Sequence, residues 1–346
     1  MKIMITGASG YIGQALCAQL LQQGHEVVAL CRNTAGMAPQ KNLHWKAVDI
    51  TQAQNVLHAM EGCTQVYHTA AFARLSSRNI QQFYRVNVEG TKNVLNAAAY
   101  HHVEKLVYTS SGGSIGKSLL VPMTEDDVRL EPFNNHYDLS KHMAEKAVRE
   151  YVANGNPAVI VNPTRVFGPG KDTYSNVLTR LMEKFIRQSY YLVPCDGEAM
   201  SNYAFIDDVV AGHLKAMELG VAGERYILGG ANISYNQFYA MLSNITGLHR
   251  KKIQVPFPIL LGAAHVQTAW RKLLQQEPEL TPETARRICQ HRMLSSAKAI
   301  QQLQYHITNT ESAMRKTLAS LGIDAPAHHS SMDMNPMKKF FTPTIQ

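Results

Sequence analysis

The chain has 346 residues, 45% of them hydrophobic and 17% charged, with a formal net charge of +8. That length is enough for a large apolar core, and the composition excludes a disordered or fibrous chain. The positive charge is spread along the sequence with no dense Lys/Arg run interleaved with aromatics. This argues against a nucleic-acid partner and for a solvated surface with some pull on anionic cofactors.

Met1-Lys2 leads straight into Ile3-Met4-Ile5, so no secretory pattern precedes the first apolar segment. The first half then alternates short apolar runs with amphipathic ones. The pattern predicts strands at 2–6, 26–31, 43–48, 65–68, 105–109 and 158–162, and helices at 12–23, 51–60, 80–101 and 138–154. Gly24 closes the first helix, and Asn154-Gly155-Asn156-Pro157 closes another. Strands separated by helices imply an α/β fold with a doubly wound parallel sheet.

Beyond Pro163 the alternation weakens. Residues 175–188 and 235–246 read as helices around short strands, and the chain from 255 onward reads as helical with Pro punctuation. The apolar stretch 255–270 is broken by Pro256, Pro258, His265 and Gln267. It reads as a packed helix, so no membrane partner is expected. The five cysteines, Cys17, Cys31, Cys63, Cys195 and Cys289, form no C-x-x-C pair. They are expected to be free thiols in a reducing compartment, with a cytoplasmic location. His101-His102 and His328-His329 lack further ligands at convincing spacing, and no metal site is expected.

The first strand runs into Thr6-Gly7-Ala8-Ser9-Gly10-Tyr11-Ile12-Gly13. Gly7, Gly10 and Gly13 at a strand-to-helix turn let the backbone approach a dinucleotide pyrophosphate, and the following helix aims its N-terminal N–H groups at the phosphates. Ser9, Tyr11 and Ile12 share that turn. The second strand ends Ala29-Leu30-Cys31-Arg32-Asn33, without the acid that would bond an adenosine ribose 2′-hydroxyl. Arg32, with Lys41 in support, suits a 2′-phosphate, so NADP(H) is the expected cofactor and NAD(H) the alternative.

Tyr137 and Lys141 are four residues apart at the start of a predicted helix and share one face. A phenol titrates near pH 10 in water, and a neighbouring ammonium is expected to lower that value, fitting the phenol for proton exchange with a substrate oxygen. Tyr108-Thr109-Ser110-Ser111 ends the fifth strand, where Ser110 or Ser111 could bond a carbonyl.

These residues resemble the extended short-chain dehydrogenase/reductases of the NAD(P)-dependent epimerase/dehydratase superfamily, in particular the dihydroflavonol-reductase-like branch. The likeness runs from Met1 to about Gly322. It rests on Thr6–Gly13, Asp49, His68-Thr69-Ala70-Ala71, Val86-Asn87-Val88-Glu89-Gly90-Thr91, Tyr137-x-x-x-Lys141, the run from Asn162 to Gly170, Phe205-Ile206-Asp207-Asp208-Val209 and Leu294-Ser295-Ser296-Ala297-Lys298-Ala299. The resemblance implies a Rossmann-type sheet with a smaller, mostly helical C-terminal substrate region. The expected cofactor domain is 1–170, rejoined by 203–228. The substrate region is 171–202 with 229–325, and 326–346 is a mobile tail.

The resemblance further implies Ser111 as the carbonyl-binding hydroxyl, Tyr137 as the acid/base, and Lys141 as the residue that lowers the tyrosine pKa and bonds the nicotinamide ribose. Asn87 matches a structural asparagine beside the proton relay. Asp49 and Ile50 would contact adenine, Ala70 and Ala71 would line the cofactor channel, and Pro163 and Val166 would lie by the nicotinamide. Arg165 stands where many nucleotide-sugar enzymes of the superfamily carry Asn.

Three functions follow from these residues: an NADPH-dependent carbonyl reductase, a nucleotide-sugar epimerase or dehydratase that recycles its cofactor, and a non-catalytic NADP(H)-sensing protein. Arg32 and the Ser pair favour the first, with a small-molecule carbonyl or alcohol as substrate. Phe72, Phe133, Asn134, Tyr174, Tyr203 and Phe257 are candidates for substrate selection. The resemblance also implies a homodimer formed through helices 80–101 and 138–154.

Overall fold

A computed structural model of the protein describes residues 1–74, 76–129, 131–170 and 176–323. Tyr174 and the expected tail, 326–346, lie outside the described residues. The cofactor half begins β1 (Lys2–Thr6), α1 (Tyr11–Gln22), β2 (Glu26–Cys31), β3 (Leu43–Ala47), α2 (Ala53–Ala59) and β4 (Gln65–His68). It continues through α3 (Gln81–Tyr84), a π-helical turn (Arg85–Glu89), α4 (Gly90–Tyr100), β5 (Lys105–Thr109), α5 (His136–Ala153) and β6 (Ala158–Pro163).

After β7 (Arg165–Phe167) come α6 (Val177–Arg187), β8 (Tyr190–Pro194), β9 (Met200–Phe205), α7 (Ile206–Leu219), β10 (Arg225–Leu228), β11 (Ala231–Ser234) and α8 (Tyr235–Thr246). The described chain closes with β12 (Lys251–Val255), α9 (Phe257–Leu273), α10 (Pro282–Ile288), α11 (Ala297–Leu303) and α12 (Thr310–Ser320).

Seven strands form one parallel sheet in the order β10-β6-β5-β4-β1-β2-β3. The inner strands are largely apolar because both faces are covered, whereas the edge strand β3 carries His44 and Lys46 and is only partly buried. Alternate residues serve opposite layers: Ile3, Ile5, Val27, Ala29, Val159 and Val161 pack on the α1 and α7 side. Met4, Val28, Leu30, Ala158 and Ile160 pack with residues of α2, α4 and α5. This is a doubly wound, Rossmann-type α/β sheet. Beyond it, β11-β9-β7 and β12-β8 make two small sheets that the mostly helical expectation for the C-terminal region omitted.

The single helix predicted over 80–101 is instead α3, the π-helical turn and α4. The wider turn follows a side-chain demand. Asn87 is buried within it, accepts from Phe72 N at 2.7 Å, and donates to Ser140 Oγ at 2.9 Å. A turn with i→i+5 spacing accommodates such a local distortion without ending the helix.

The cysteines correct a second expectation. Cys17, Cys31 and Cys63 are buried thiols, but Cys195 and Cys289 are joined in a disulfide with Cα atoms 6.1 Å apart. The two lie 94 residues apart, so spacing gave no cue to the pairing. The bridge also removes the cysteine-based ground for a reducing compartment. Peptide mapping without reductant is expected to recover the Cys195–Cys289 cross-link. Cys289→Ser should lower unfolding free energy by about 2–4 kcal/mol in denaturant titrations; equal stability with and without reductant would contradict a structural bridge.

Candidate active site

The β1–α1 turn is built by close approach. Gly7 has φ +70°, and a Cβ there would lie 2.6 Å from Ala70 Cα. At Gly13 a Cβ would meet Gly7 O at 2.3 Å. Neither position accepts a side chain, so the turn is drawn tight against the end of β4. Thr6 fixes the same junction: its Oγ1 lies 2.6 Å from His68 Nδ1 and accepts from Ala70 N at 3.2 Å. Burial, and then the charge of Lys141, lowers the pKa of His68 to about 3, which keeps this joint neutral.

No side chain caps α1, its N-cap residue is Gly10, and its first turn has no acid. The helix therefore presents uncapped N–H groups and the positive end of its dipole at the sheet's C-terminal edge, which fits a pyrophosphate. Ser9 and Ile12 lie in this turn partly exposed. Tyr11 turns away from it, donating from its hydroxyl to Gly168 O at 2.9 Å.

Arg32 follows β2 directly and is exposed, as is Lys41. Asp49 Oδ1 accepts from Thr51 N at 2.9 Å, and Ile50 packs where a Cβ on Gly90 would sit. Ala70 and Ala71 leave β4 half-buried. Pro163 ends β6, and Val166 is buried in β7. Every one of these positions lies at or just beyond the C-terminal end of a parallel strand, except Val166, inside β7, and Lys41, just ahead of β3.

The hydroxyl pair after β5 resolves cleanly. Ser110 is buried and donates to Glu145 Oε1 at 2.5 Å. The same carboxylate oxygen accepts from Ser114 Oγ at 2.7 Å and Asn162 Nδ2 at 2.8 Å. Ser110 is thus consumed by the fold. Ser111 heads a 3-10 turn (Gly112–Ser114), its Oγ accepts from Gly113 N at 3.1 Å, and it lies near enough to Tyr137 to act on the phenol's pKa.

Asn135 caps α5 by accepting from Asp138 N at 2.7 Å, and this starts the helix at His136 rather than 138. Tyr137, Lys141 and Glu145 then fall on one face at i, i+4 and i+8. Lys141 is 1% exposed, donates to Thr109 O at 2.6 Å and holds its Nζ 4.4 Å from the Tyr108 ring centre. Asn87 reaches this helix through Ser140, whose hydroxyl donates to Tyr137 O at 2.8 Å. Its amide is wholly engaged in the fold.

The electrostatics correct the expected tyrosine shift. Burial, and then the Asp138 carboxylate, pushes the Tyr137 phenol up to about 12, while the Ser111 hydrogen bond and Arg287 oppose the rise. Burial lowers Lys141 to about 7 against the opposing charge of Glu145. A phenol in this state keeps its proton at neutral pH.

Sequence reasoning missed three groups here: Glu145, Asp138 and the arginines that meet Asp138. Glu145 had a usable signal in its i+4 spacing from Lys141. Arg287 and Arg292 had none, because they pair with Asp138 across 149 and 154 positions. Among the substrate candidates, Phe72 packs on Phe83, Phe133 lies under Arg129 with 4.0 Å from guanidinium to ring centre, Tyr203 is buried, and Phe257 is partly exposed. Among the described residues no His/Cys/Asp/Glu group is arranged to hold a metal, and no helix is long and apolar enough to cross a membrane.

The model of the NAD dependent epimerase/dehydratase family matches residues 3–229. The chain belongs to this family. Within it, the chain is 32% identical over 308 residues to the "Putative dihydroflavonol 4-reductase" of Synechocystis sp., covering 86% of this chain and 88% of the relative. It is 29% identical to the 2-alkyl-3-oxoalkanoate reductase of Stenotrophomonas maltophilia, covering 84% and 89%. Among solved structures, that of gox2253 superposes with a TM-score of 0.76 at 30% identity, covering 92% of this chain and 97% of the other. The family's NAD(P) chemistry fits the uncapped α1 terminus and the Ser111–Tyr137–Lys141 face. The chain is an oxidoreductase of the extended short-chain type, acting on CH–OH/C=O groups.

Lys141 also yields a stability test. Its pKa falls from 10.5 to about 7 on folding, so between those values the unfolded chain binds more protons than the native one. Below about pH 7 both states are protonated and the burial penalty is fully felt; above it the penalty fades. Stability of the wild type relative to Lys141→Met should therefore rise as pH increases from 7 toward 10, read by urea titration at each pH. A pH-independent difference would show that Lys141 titrates normally.

Proposed function

We propose that this chain is an NADPH-dependent carbonyl reductase that takes a small-molecule ketone or aldehyde to the alcohol. The placement of Ser111, just past the C-terminal end of β5, and of Tyr137, in the first turn of α5, carries this reading. Ser111 lies near enough to oppose the rise in the Tyr137 pKa, so a carbonyl oxygen at this sheet edge can accept from both hydroxyls.

A nicotinamide held at this edge would supply hydride to the carbonyl carbon. The chain's own residues supply the rest. Ser111, held from behind by Gly113 N, orients the oxygen. Tyr137 gives up its proton as charge develops there, and its raised pKa suits it to the donor's part. Lys141, anchored on Thr109 O, lies on the same face to bond the ribose and to balance phenolate charge. Asn87, through Ser140, holds the first turn of α5 in place.

Arg32 supports NADPH over NADH. It is exposed at the tip of β2, where the acid that would select a free ribose hydroxyl is missing. The names of the two reductase relatives support a carbonyl substrate. A homodimer through α4 and α5 is proposed on family likeness.

NADPH oxidation with a panel of aldehydes, diketones and ketones tests the reading. Tyr137→Phe should cut kcat by about 10²–10⁴-fold while leaving NADPH affinity intact, as read by fluorescence titration. Epimerised sugar nucleotide without net NADPH loss would overturn the proposal. Arg32→Ala should weaken NADPH binding by roughly 10- to 100-fold, the worth of about 1.5–3 kcal/mol for a charge-assisted contact, and leave NADH binding unchanged. An equal loss for both cofactors would remove Arg32 from the discrimination.

A further inference from the structure

Behind Tyr137 the fold gathers more positive charge than it neutralises. Asp138 is 1% exposed and pairs with Arg287, while Arg292 Nη2 stands 3.8 Å away on the same carboxylate oxygen. Arg129 borders the same cavity, but its hydrogen bonds go to the carbonyls of Gly113, Glu131 and Pro132. Its ion partner Glu131, 3.8 Å away, is shared with Lys117. Arg165, the next guanidinium along, donates to the Tyr235 hydroxyl at 3.1 Å. Among the described residues, four guanidiniums thus stand around two carboxylates. Glu283, the other acid lining the cavity besides Asp138, is exposed.

Arg292 is the unsatisfied cation of the cluster. It is 8% exposed, yet its Nη2 has no hydrogen-bond partner among the described residues, and the buried acceptors Asp138 Oδ1 and Glu131 Oε1 are likewise unbonded there. A buried guanidinium nitrogen left unbonded is costly, and a group that retains one is arranged to receive an acceptor. The backbone holds it in place. Arg292 N donates to Met200 O at 2.8 Å, and its neighbours are tied by Met293 N to Ser118 Oγ at 2.8 Å and Leu294 N to Asn232 Oδ1 at 3.0 Å. The Cys195–Cys289 bridge fixes the same segment three residues earlier. Burial and the adjacent cations lower Arg292 to about 9, and an anion would relieve that repulsion.

The cluster also borders the reacting hydroxyls. Asp138 follows Tyr137 in α5, the Arg287 charge acts on the Tyr137 phenol, and Arg129 bonds the carbonyl of Gly113, whose N–H holds Ser111. We propose that Arg292, with Arg287 and Arg129, forms an anion subsite that receives a carboxylate of the substrate, so that the preferred substrates are oxo acids rather than neutral ketones. This rests on the carbonyl-reductase reading for its second half only; the subsite itself is a binding claim. A planar carboxylate accepting from a guanidinium fork is the expected contact.

The test compares 3-oxooctanoate with its methyl ester in NADPH oxidation, and 3-hydroxyoctanoate with its methyl ester in calorimetric titration of the NADP⁺-loaded protein. The acids should be favoured by about tenfold or more in kcat/KM and in affinity, in keeping with a charged hydrogen bond of about 1.5–3 kcal/mol. Arg292→Gln should erase that preference, mainly through KM, and Arg292→Lys should restore part of it. The wild-type comparison needs no variant and so survives a folding failure. Binding of the acid without any turnover upholds the subsite and sinks the reductase reading. Equal handling of acid and ester overturns the subsite and leaves that reading standing. Loss of NADPH affinity in Arg292→Gln would reassign the cluster to the cofactor and overturn the proposal.

Discussion

The arrangement at the sheet edge depends on one buried carboxylate. Glu145 is wholly buried, and its Oε1 gathers Ser110, Ser114 and Asn162 while its Oε2 faces Arg149 and Arg225. These partners come from the ends of β5 and β6, the turn between β5 and α5, α5 itself and the start of β10. An ionised group so enclosed persists only when its lone pairs are met, and here they are met by the strands that make the site. By taking Ser110 the carboxylate decides which serine of the pair is left for chemistry. It also pins α5 against the sheet one turn beyond Lys141, which sets the height of Tyr137 above the edge.

A related economy governs the charges. The ammonium and His68 are buried and the phenol half-buried, and each is pushed toward its neutral form. Charge in this region is concentrated on groups that have partners, Glu145 and Asp138. Burial pushes the Asp138 carboxyl up, but Arg287 and Arg292 outweigh it and hold it below the ordinary carboxylate range. Polarity next to the reacting hydroxyls is therefore fixed in advance rather than recruited from solvent, the condition under which dipoles and charges act most strongly on a developing oxyanion.

Most of the sheet was legible because its signals are local. The strands at 2–6, 26–31, 65–68 and 105–109 coincide with β1, β2, β4 and β5, since a strand covered on both faces must be apolar throughout. The glycine turn and the Tyr137–Lys141 spacing were equally local. The features that escaped depend on contacts between distant segments. The π-helical turn answers to Asn87 reaching Phe72 and Ser140. The Cys195–Cys289 pairing and the arginines on Asp138 join positions more than ninety residues apart. The direction of the Tyr137 shift escaped for another reason: a spacing rule places an ammonium near a phenol but says nothing about how completely both are withdrawn from water.

The position of β10 has a consequence for how the protein is made. This strand pairs β6 along 225–228 and is the seventh of the parallel sheet, yet the chain delivers it only after passing through β7, β8 and β9. A nascent chain that has emerged as far as Pro163 holds six strands and leaves β6 as a bare edge. The same chain still lacks Arg225, so the Glu145 carboxylate has one of its two cations missing. Synthesis order thus makes the cofactor half wait for the segment that follows it, and a ribosome pause between β6 and β10 would leave the outer edge of β6, a largely apolar strand, open to the surrounding medium.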